Sequence, residues 1–466
     1  MDENLKNVLL NKKQSGWLET DDEKFSKIFD FCNGYMNFLN ISKTEREFAF
    51  NARKWADSEG FKDVNTVENL NPGDKVYFVN REKSVYLAVI GKQPLENGLH
   101  IVGAHIDSPR LDLKPNPLYE DGEMAYFNTH YYGGIKKYQW TTIPLSIHGV
   151  MIKANGEKIT INIGEDESDP IFTITDLLPH LAREQQTKKL GEAIEGENLD
   201  LLVGSIPVLD EKAKCKVKLN VLKILNEKYG ITESDFVSSE LELVPAFKAR
   251  SLGFDYGMVA GYGQDDKVCS YTALRALMEI ENPEKTAICI LSDKEEIGSM
   301  GNTGMESHVF DYFVSELLNK TGQNRINLLD KVFCYSKMLS SDVDAGFDPL
   351  YANVSDRNNA GFLSKGITLN KYTGARGKSG ASDANAEYVA WVRNLCETNN
   401  IKYQFSELGK VDVGGGGTIA YILANKGVDV IDCGVPVLSM HAPYEVTSKF
   451  DIYEAYRAYK AFWNKD

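Results

Sequence analysis

The sequence predicts an α/β fold, in which a mostly parallel sheet is flanked by helices and is interrupted in sequence by an inserted β-rich domain. Continuous apolar strands alternate with helical segments from residue 254 onward, and this alternation is typical of a parallel sheet covered on both faces. The middle of the chain instead has alternating strands such as residues 158–164. We therefore predict a main domain formed by residues 1–108 and 245–466, with residues 109–244 inserted between its halves.

Hydrophobic spacing predicts the individual elements in chain order. Apolar residues three and four positions apart indicate helices over residues 20–60, and short β-like runs follow them. The predicted strands cover residues 75–80, 84–91, 99–105, 158–164, 286–293, 330–342 and 428–436. The predicted helices of the remaining chain cover residues 176–190, 268–281, 308–321, 381–399 and 418–426.

The composition excludes several classes of protein. With 466 residues, 42% of them hydrophobic, the chain can bury the cores of two or three domains of roughly 150 residues each. Its net charge of −15 argues against nucleic acid or an anionic membrane as partner, because phosphate attraction needs clustered Lys and Arg. No apolar run approaches the roughly 18 residues of a membrane span, and the N-terminal stretch lacks the apolar segment of a secretory signal. Seven scattered cysteines without CxxC spacing indicate a reducing, cytoplasmic setting.

Histidine and carboxylate residues follow the ends of four predicted strands and open one predicted helix. Sites in open parallel sheets form beyond the carboxyl ends of the strands, so we expect these residues to lie close together. Any one of them could be a solvated loop end or a helix cap, but five such clusters together indicate a site. The clusters are His105 with Asp107, Asp265 with Asp266, Glu295 with Glu296, Asp342 with Asp344, and His441.

This set of side chains is suited to metal ions. Imidazole and carboxylate groups without cysteine are ligands for Zn²⁺, Co²⁺ or Mn²⁺, and their number is enough for two ions that share a bridging carboxylate. Of the neighbours Glu295 and Glu296, one can bind metal while the other acts as a general base. Asp107, two residues after His105, can orient the imidazole ring, or it can cap the local main chain.

Seven segments of the chain carry a resemblance to one family. They are IVGAHIDSPRLDLKP (101–115), YYGGI (131–135), GQDDKVCSYTALRAL (263–277), LSDKEEIGS (291–299), SSDVDAGFDP (340–349), GGGGTIAYILA (414–424) and DCGVPVLSMHAPYEV (432–446). In these segments and their order, the chain resembles the aspartyl aminopeptidase family, whose members are dinuclear zinc peptidases. The resemblance extends over most of the chain and implies a zinc-peptidase-like fold.

The resemblance also implies roles, partners and an assembly. It implies two zinc ions per subunit, a main domain that carries out catalysis, and an inserted domain that acts as a lid and as a dimer contact. Dimers of the family build up to dodecamers that act on peptides. By position it implies His105 and Asp342 on one zinc ion, Glu296 and His441 on the other, Asp265 as the bridge between them, Asp266 as the alternative bridge and Glu295 as the general base.

The chain departs from the family pattern where substrate is expected to bind. Members with a strong acidic preference carry a basic residue and an NxxRYA-like run after the third ligand, whereas this chain reads ITLNKYTGARGKSGASDAN. Lys371 and Arg376 are the candidate substrate-binding cations of that run, with Lys378 nearby. The glycine run 414–417, which includes Gly416, can hold a substrate carboxylate or oxyanion on its N–H groups, or it can serve close packing alone. The preferred N-terminal residue, acidic or neutral, is therefore open.

The sequence as a whole predicts a cytoplasmic, metal-dependent aminopeptidase that forms a homo-oligomer and removes N-terminal residues from peptides. A related metal-dependent deacylase or carboxypeptidase is an alternative, and the requirement for a free substrate α-amine distinguishes it. A non-catalytic binding assembly that keeps the fold is a second alternative, which metal content distinguishes.

Overall fold

The chain divides into two compact units. The computed structural model describes Leu5, Leu9, Leu10 and residues 14–465. The first unit contains the chain up to Asp107, Ala249–Met440 and the chain from Glu445 onward, and the second contains Ser108–Lys248 and His441–Tyr444. The N-terminal stretch in which no secretory signal is expected lies largely outside the described residues.

The strands of the described residues range in length from two to twelve residues. In chain order they are β1 (Lys62–Asp63), β2 (Lys75–Asn80), β3 (Ser84–Val89), β4 (His100–His105), β5 (Arg110–Asp121), β6 (Met124–Tyr132), β7 (Leu145–Ile152), β8 (Lys158–Ile163), β9 (Leu201–Gly204), β10 (Ser239–Pro245), β11 (Arg250–Leu252), β12 (Met258–Gly261), β13 (Ala287–Ser292), β14 (Lys337–Ser340), β15 (Asp344–Ala345), β16 (Ile367–Asn370), β17 (Gly374–Ala375), β18 (Tyr403–Phe405), β19 (Gly415–Gly416), β20 (Asp429–Gly434), β21 (Pro436–Leu438) and β22 (Glu445–Ser448).

Helices occur in both units, and in the first unit they alternate with the strands. In chain order they are α1 (Asp22–Asn40), α2 (Glu45–Ser58), α3 (Leu190–Ala193), α4 (Lys216–Tyr229), α5 (Gln264–Met278), α6 (Val309–Lys320), α7 (Leu328–Cys334), α8 (Ala386–Thr398), α9 (Ala420–Ala424) and α10 (Lys449–Trp463). Within the described part of the chain, no helix combines the length and the apolar character that crossing a membrane requires.

The first unit is built on a nine-stranded sheet with the order β1-β2-β3-β13-β4-β14-β20-β16-β18. Its four central strands β13, β4, β14 and β20 run parallel to one another, while β3 and β16 pair with them antiparallel. A five-stranded sheet, β11-β12-β22-β21-β15, and the pair β17-β19 complete the unit. The predicted α/β class, with a largely parallel sheet flanked by helices, is therefore confirmed.

Both faces of the nine-stranded sheet are buried. Successive residues of a strand point to opposite faces, and on β14 Met338 packs with α6, α7 and α9, whereas Leu339 packs with α1, α5 and α10 on the other face. Burial on both faces explains why the central strands are continuous apolar runs rather than alternating ones.

The second unit contains a six-stranded sheet with the order β8-β7-β10-β5-β6-β9. The pairings of this sheet are all antiparallel. Helix α4 packs against β5, β6 and β9 within the unit. The unit thus has its own sheet and a helix that covers part of it.

Two predicted elements were wrong. Residues 330–342 do not form one strand, because α7 occupies the first half and β14 begins only at Lys337. Leu328 and Val332, four positions apart, are both buried, which is helical spacing. Residues 176–190 form only short turns, with a 3₁₀ helix at Gln185–Thr187, and the leucines of this segment stay exposed rather than forming a packed helix face.

Candidate metal centre

The site lies at the carboxyl ends of three neighbouring parallel strands. Strand β4 lies between β13 and β14, with His105 opposite Ser292 and Gly103 opposite Ser340. The residues that follow β13 and β14 therefore emerge beside His105, at the same edge of the sheet. This is where open parallel sheets form their sites.

His105 is the centre of the cluster, and its ring has a defined tautomer. Nδ1 lies 3.0 Å from the main-chain oxygen of Asp107. A carbonyl oxygen can only accept, so Nδ1 carries the proton and Nε2 of the neutral ring has a lone pair. Around Nε2 lie carboxylate oxygens of Asp265 at 3.2 Å, Asp342 at 3.6 Å and Glu295 at 3.9 Å.

Two sets of side chains in the first unit have the geometry to hold a metal ion. In each set, one potential ligand atom from every residue lies within 4.8 Å of the others. One set contains His105, Asp266 and Asp342, and the other contains His105, Asp265 and Glu296. The structure thus brings together five of the residues predicted at strand and helix ends.

The donors of this cluster fit a divalent cation. His105 is 1% exposed, and its Nε2 has no hydrogen-bond partner although carboxylates surround it. A buried lone pair that faces carboxylate oxygens is stabilised when a cation lies between them. The nitrogen and oxygen donors, without sulfur, match Zn²⁺ and similar ions.

The same surroundings control the proton affinity of the His105 ring. Burial disfavours the charged imidazolium, but interactions with Asp107, Asp265 and Asp342 outweigh burial and raise the pKa of His105 well above its usual range. The cluster therefore attracts positive charge strongly, as a proton or as a metal ion.

Asp107 has a second contact that the sequence did not reveal. Its two carboxylate oxygens accept the N–H groups of Glu295 at 3.1 Å and of Glu296 at 3.2 Å. Its Oδ1 also lies 3.3 Å from Nδ1 of His105. Asp107 therefore lies beside the imidazole and caps the distant turn that carries the two glutamates, rather than the local main chain.

Glu295 has some access to solvent, as does Asp342. The side chain of Glu295 is 16% exposed and that of Asp342 is 13% exposed, compared with 2% for that of His105. Burial, followed by repulsion from Asp342, raises the pKa of Glu295 to about 8. A carboxyl group with a pKa near neutrality can accept and donate a proton during a reaction.

Asp265 and Asp266 both belong to the cluster, but they differ in surroundings. Both lie at the start of α5 with main-chain angles outside the helical region, so their side chains point away from a regular helix surface. Asp266 is completely buried, and burial followed by repulsion from Asp342 raises its pKa well above the usual range. Asp265 lies in the set with Glu296, and Asp266 in the set with Asp342.

The main chain at Asp342 packs closely against Gly434. A Cβ atom on Gly434 would lie 1.7 Å from the main-chain oxygen of Asp342. Glycine at the end of β20 therefore lets that strand pass directly beside the segment that carries Asp342.

His441 belongs to the second unit. Its Nδ1 lies 2.7 Å from the main-chain oxygen of Gly134, within the same unit. Because that oxygen can only accept, Nδ1 carries the proton and Nε2 of the neutral ring has its lone pair. His441 is in neither of the two metal-binding sets.

The predicted substrate-binding residues lie in two loops that are joined to each other. Gly416 pairs with Gly374 in the short sheet β17-β19. Gly374 is two residues before Arg376 in the chain. Lys371 and Lys378 both bind the carboxylate of Asp383, at 2.6 and 3.1 Å. None of these residues is in the metal-binding sets, so their predicted roles stay predictions.

The chain is similar to known proteins over nearly its whole length. The sequence profile of the family described as aminopeptidase I zinc metalloprotease (M18) matches residues 38–463. A probable M18 family aminopeptidase 1 from Clostridium acetobutylicum is 52% identical over 98% of this chain and 99% of the relative. A probable M18 family aminopeptidase 1 from Thermotoga maritima is 48% identical over 95% of this chain and 97% of the relative.

Solved structures agree with this assignment. A crystal structure of an M18 family aminopeptidase from Thermotoga maritima has a TM-score of 0.94 and 46% identity, covering 98% of this chain and all of the other. Aminopeptidase I from Clostridium acetobutylicum has a TM-score of 0.92 and 50% identity, with the same coverage. Together with the carboxylate and histidine cluster at the strand ends, these similarities confirm the family to which the motifs pointed. The chain belongs to the aminopeptidase I zinc metalloprotease (M18) family, and it is a metal-dependent aminopeptidase.

Proposed function

We propose that the protein uses two divalent ions to hydrolyse the first peptide bond of peptide substrates. The cluster around His105 holds these ions. The observation that carries this proposal is the buried Nε2 of His105, which faces carboxylates of two overlapping ligand sets. Two sets that share one histidine supply more donors than a single ion needs. Zn²⁺ is the expected ion, with Co²⁺ or Mn²⁺ as substitutes.

The proposed ligands are drawn from both sets. His105 and Asp342 would hold one ion and Glu296 the other, with Asp265 shared between them. Asp265 is supported as the bridge because its Oδ1 is 3.2 Å from Nε2 of His105 and it shares a set with Glu296. Asp266 supports the Asp342 side of the cluster.

The role of His441 as the remaining ligand of the Glu296 ion stays a prediction that the family resemblance implies. Histidines that bind metal commonly donate their other ring N–H to a carbonyl or carboxylate, which fixes the ring and its tautomer. The bond from Nδ1 of His441 to Gly134 has this form. It leaves Nε2 in the state that binds a metal.

Glu295 is proposed as the general base and acid. When bound, the ions polarise the substrate carbonyl and lower the pKa of water. Glu295 takes one proton from the attacking water, whose oxygen bonds to the carbonyl carbon, and then gives that proton to the nitrogen as the C–N bond breaks. The two hydrogen bonds from the main chain to Asp107 hold the glutamate turn in place during both transfers.

We infer no strong preference for acidic N-terminal residues. Lys371, Arg376 and Lys378 lie where relatives with acidic preference carry a basic residue and an NxxRYA-like run. Two of these cations, Lys371 and Lys378, bind Asp383 here. Their charge is thus partly neutralised within the loop. Neutral or apolar N-terminal residues are the proposed substrates.

The proposed function is tested with a panel of aminoacyl-p-nitroanilides carrying Asp, Glu, Leu, Ala, Lys and N-acetyl-Leu. We expect cleavage of Leu and Ala substrates that chelation abolishes and Zn²⁺, Co²⁺ or Mn²⁺ restores. Cleavage of N-acetyl-Leu would instead indicate the deacylase alternative. Faster cleavage of Asp than of Leu substrates would refute the specificity proposed here.

The protein is also proposed to act as a cytoplasmic homo-oligomer, with contacts supplied by the second unit. All seven cysteines are free thiols, as in a reducing compartment. The second unit exposes several large apolar side chains, which are the candidates for such contacts because monomeric proteins rarely expose large contiguous apolar patches. They include Ile171, Leu177, Leu181, Leu190, Ile206 and Leu209.

Light scattering coupled to size-exclusion chromatography tests the assembly. We expect a mass that is a multiple of the 52.1 kDa subunit mass. If dimers are the building block, the number of subunits is even. Leu181→Lys with Leu190→Lys should reduce that mass, because two charges replace apolar contacts. A wild-type protein of subunit mass at micromolar concentration would rule the proposal out.

A further inference from the structure

Glu445 is a buried carboxylate beside the candidate metal centre, and the proposed reaction gives it no role. It begins strand β22, and only 1% of its surface is exposed. Burying a carboxylate is unfavourable unless hydrogen bonds or opposite charges compensate. Its contacts therefore indicate what it contributes.

The side chain of Glu445 binds the main chain of Asp265. Oε2 of Glu445 accepts the N–H of Asp265 at 3.1 Å, and the bond is buried. Asp265 lies in the first turn of α5, where N–H groups have no acceptor within the helix. Glu445 thus supplies the acceptor that this N–H needs.

The main chain of Glu445 holds the preceding residue. Nε2 of Gln264 donates to the main-chain oxygen of Glu445 at 2.6 Å and to that of Val259 at 3.2 Å. Strands β12 and β22 pair with Gly261 opposite Glu445, so these acceptors belong to a sheet. Two consecutive residues, Gln264 and Asp265, are therefore fixed to the same rigid element.

The position of the Asp265 main chain decides where its carboxylate lies. Its Oδ1 is 3.2 Å from Nε2 of His105 and is within reach of Glu296. Metal ligands are sensitive to the groups that orient them, and loss of such a group weakens metal affinity or activity about 10- to 100-fold. A shift of the N–H of Asp265 would move its carboxylate relative to both ligand sets.

We propose that Glu445 is a positioning residue, whose hydrogen bond to Asp265 N–H directs the bridging carboxylate to the two ions. This inference rests on the proposed function, because Asp265 is the proposed bridge there. Glu445 contacts neither substrate nor metal in this role. Its effect on the ions is exerted through Asp265.

Two conservative variants separate the hydrogen bond from the charge. Glu445→Gln keeps an acceptor oxygen at the same distance and removes the charge. Glu445→Asp keeps the charge and withdraws the acceptor by one methylene group. If the hydrogen bond positions Asp265, the Asp variant is impaired and the Gln variant resembles the wild type.

The variants are compared as full-length proteins by Co²⁺ titration, followed through the visible absorption of the bound ion, and by kcat and KM. For Glu445→Asp we expect Co²⁺ affinity and kcat to fall about tenfold or more with an altered spectrum, while KM changes little. For Glu445→Gln we expect the wild-type spectrum. Equal behaviour of the two variants, or greater impairment of Gln, would overturn the inference.

Glu454→Gln is the matched control. Glu454 is also a buried carboxylate, but its partners are Lys24, Arg457 and the N–H of Lys402. Its loss should lower stability and leave the Co²⁺ spectrum unchanged. If the wild-type protein itself bound no metal and cleaved no substrate, the proposed function would fail together with this inference. A normal wild type with an unaffected Asp variant would overturn the inference alone.

Discussion

Glu295→Gln should lower kcat by roughly 10³- to 10⁴-fold, which is the upper range for loss of a general base. The substitution keeps the shape of the side chain but removes its ability to take a proton from water. Glu295 stands apart from the two proposed ligand sets, so metal content should stay the same. Parallel measurements of kcat on a Leu substrate and of bound zinc by elemental analysis check both statements.

The control for this variant is Glu279→Gln. Glu279 is partly buried like Glu295, but it binds Arg275 and Lys460 at the surface of the helical layer. We expect that variant to keep its turnover. Near-normal turnover of Glu295→Gln, or a loss of zinc equal to its loss of activity, would contradict the role of general base.

The position of the site could be predicted because it depends on strand ends. The runs LHIVGAH and TAICILSD are apolar on both faces of the sheet, so their ends at His105 and Ser292 are visible in sequence. Parallel pairing then places their following residues side by side. Local patterns and topology together thus predicted the cluster of His105, Glu295 and Glu296.

Other features could not be read from sequence because they depend on long-range contacts. Asp265 and Asp266 are adjacent and chemically identical, and only their packing against Asp342 or Glu296 distinguishes them. The bond from Asp265 to Glu445 joins positions 180 residues apart. Likewise, the two N–H groups that Asp107 accepts belong to a turn far along the chain. In the segment 330–342 an apolar run concealed a change from helix to strand.

Removal of the metal should abolish activity and lower the thermal stability of the protein. Without cations, the carboxylates of Asp265, Glu295 and Asp342 face one another across His105 and repel. A ligand that binds only the folded state stabilises it, by about 2.7 kcal/mol at 100 times its Kd. We therefore expect the unfolding temperature of the chelated protein to rise by several degrees when Zn²⁺ is restored, as measured by scanning fluorimetry.

His105→Ala should remove both the activity and this gain in unfolding temperature, because His105 is the residue common to the two ligand sets. The matched control is His308→Ala, whose side chain is 95% exposed and contacts Asp311 at the start of α6. That variant should keep its activity and its response to Zn²⁺. A His105→Ala protein with the full gain from Zn²⁺ would mean that the ions bind elsewhere. If His105→Ala loses the gain and His308→Ala keeps it, the ions bind within reach of the His105 imidazole, which is surrounded by carboxylates that a cation neutralises.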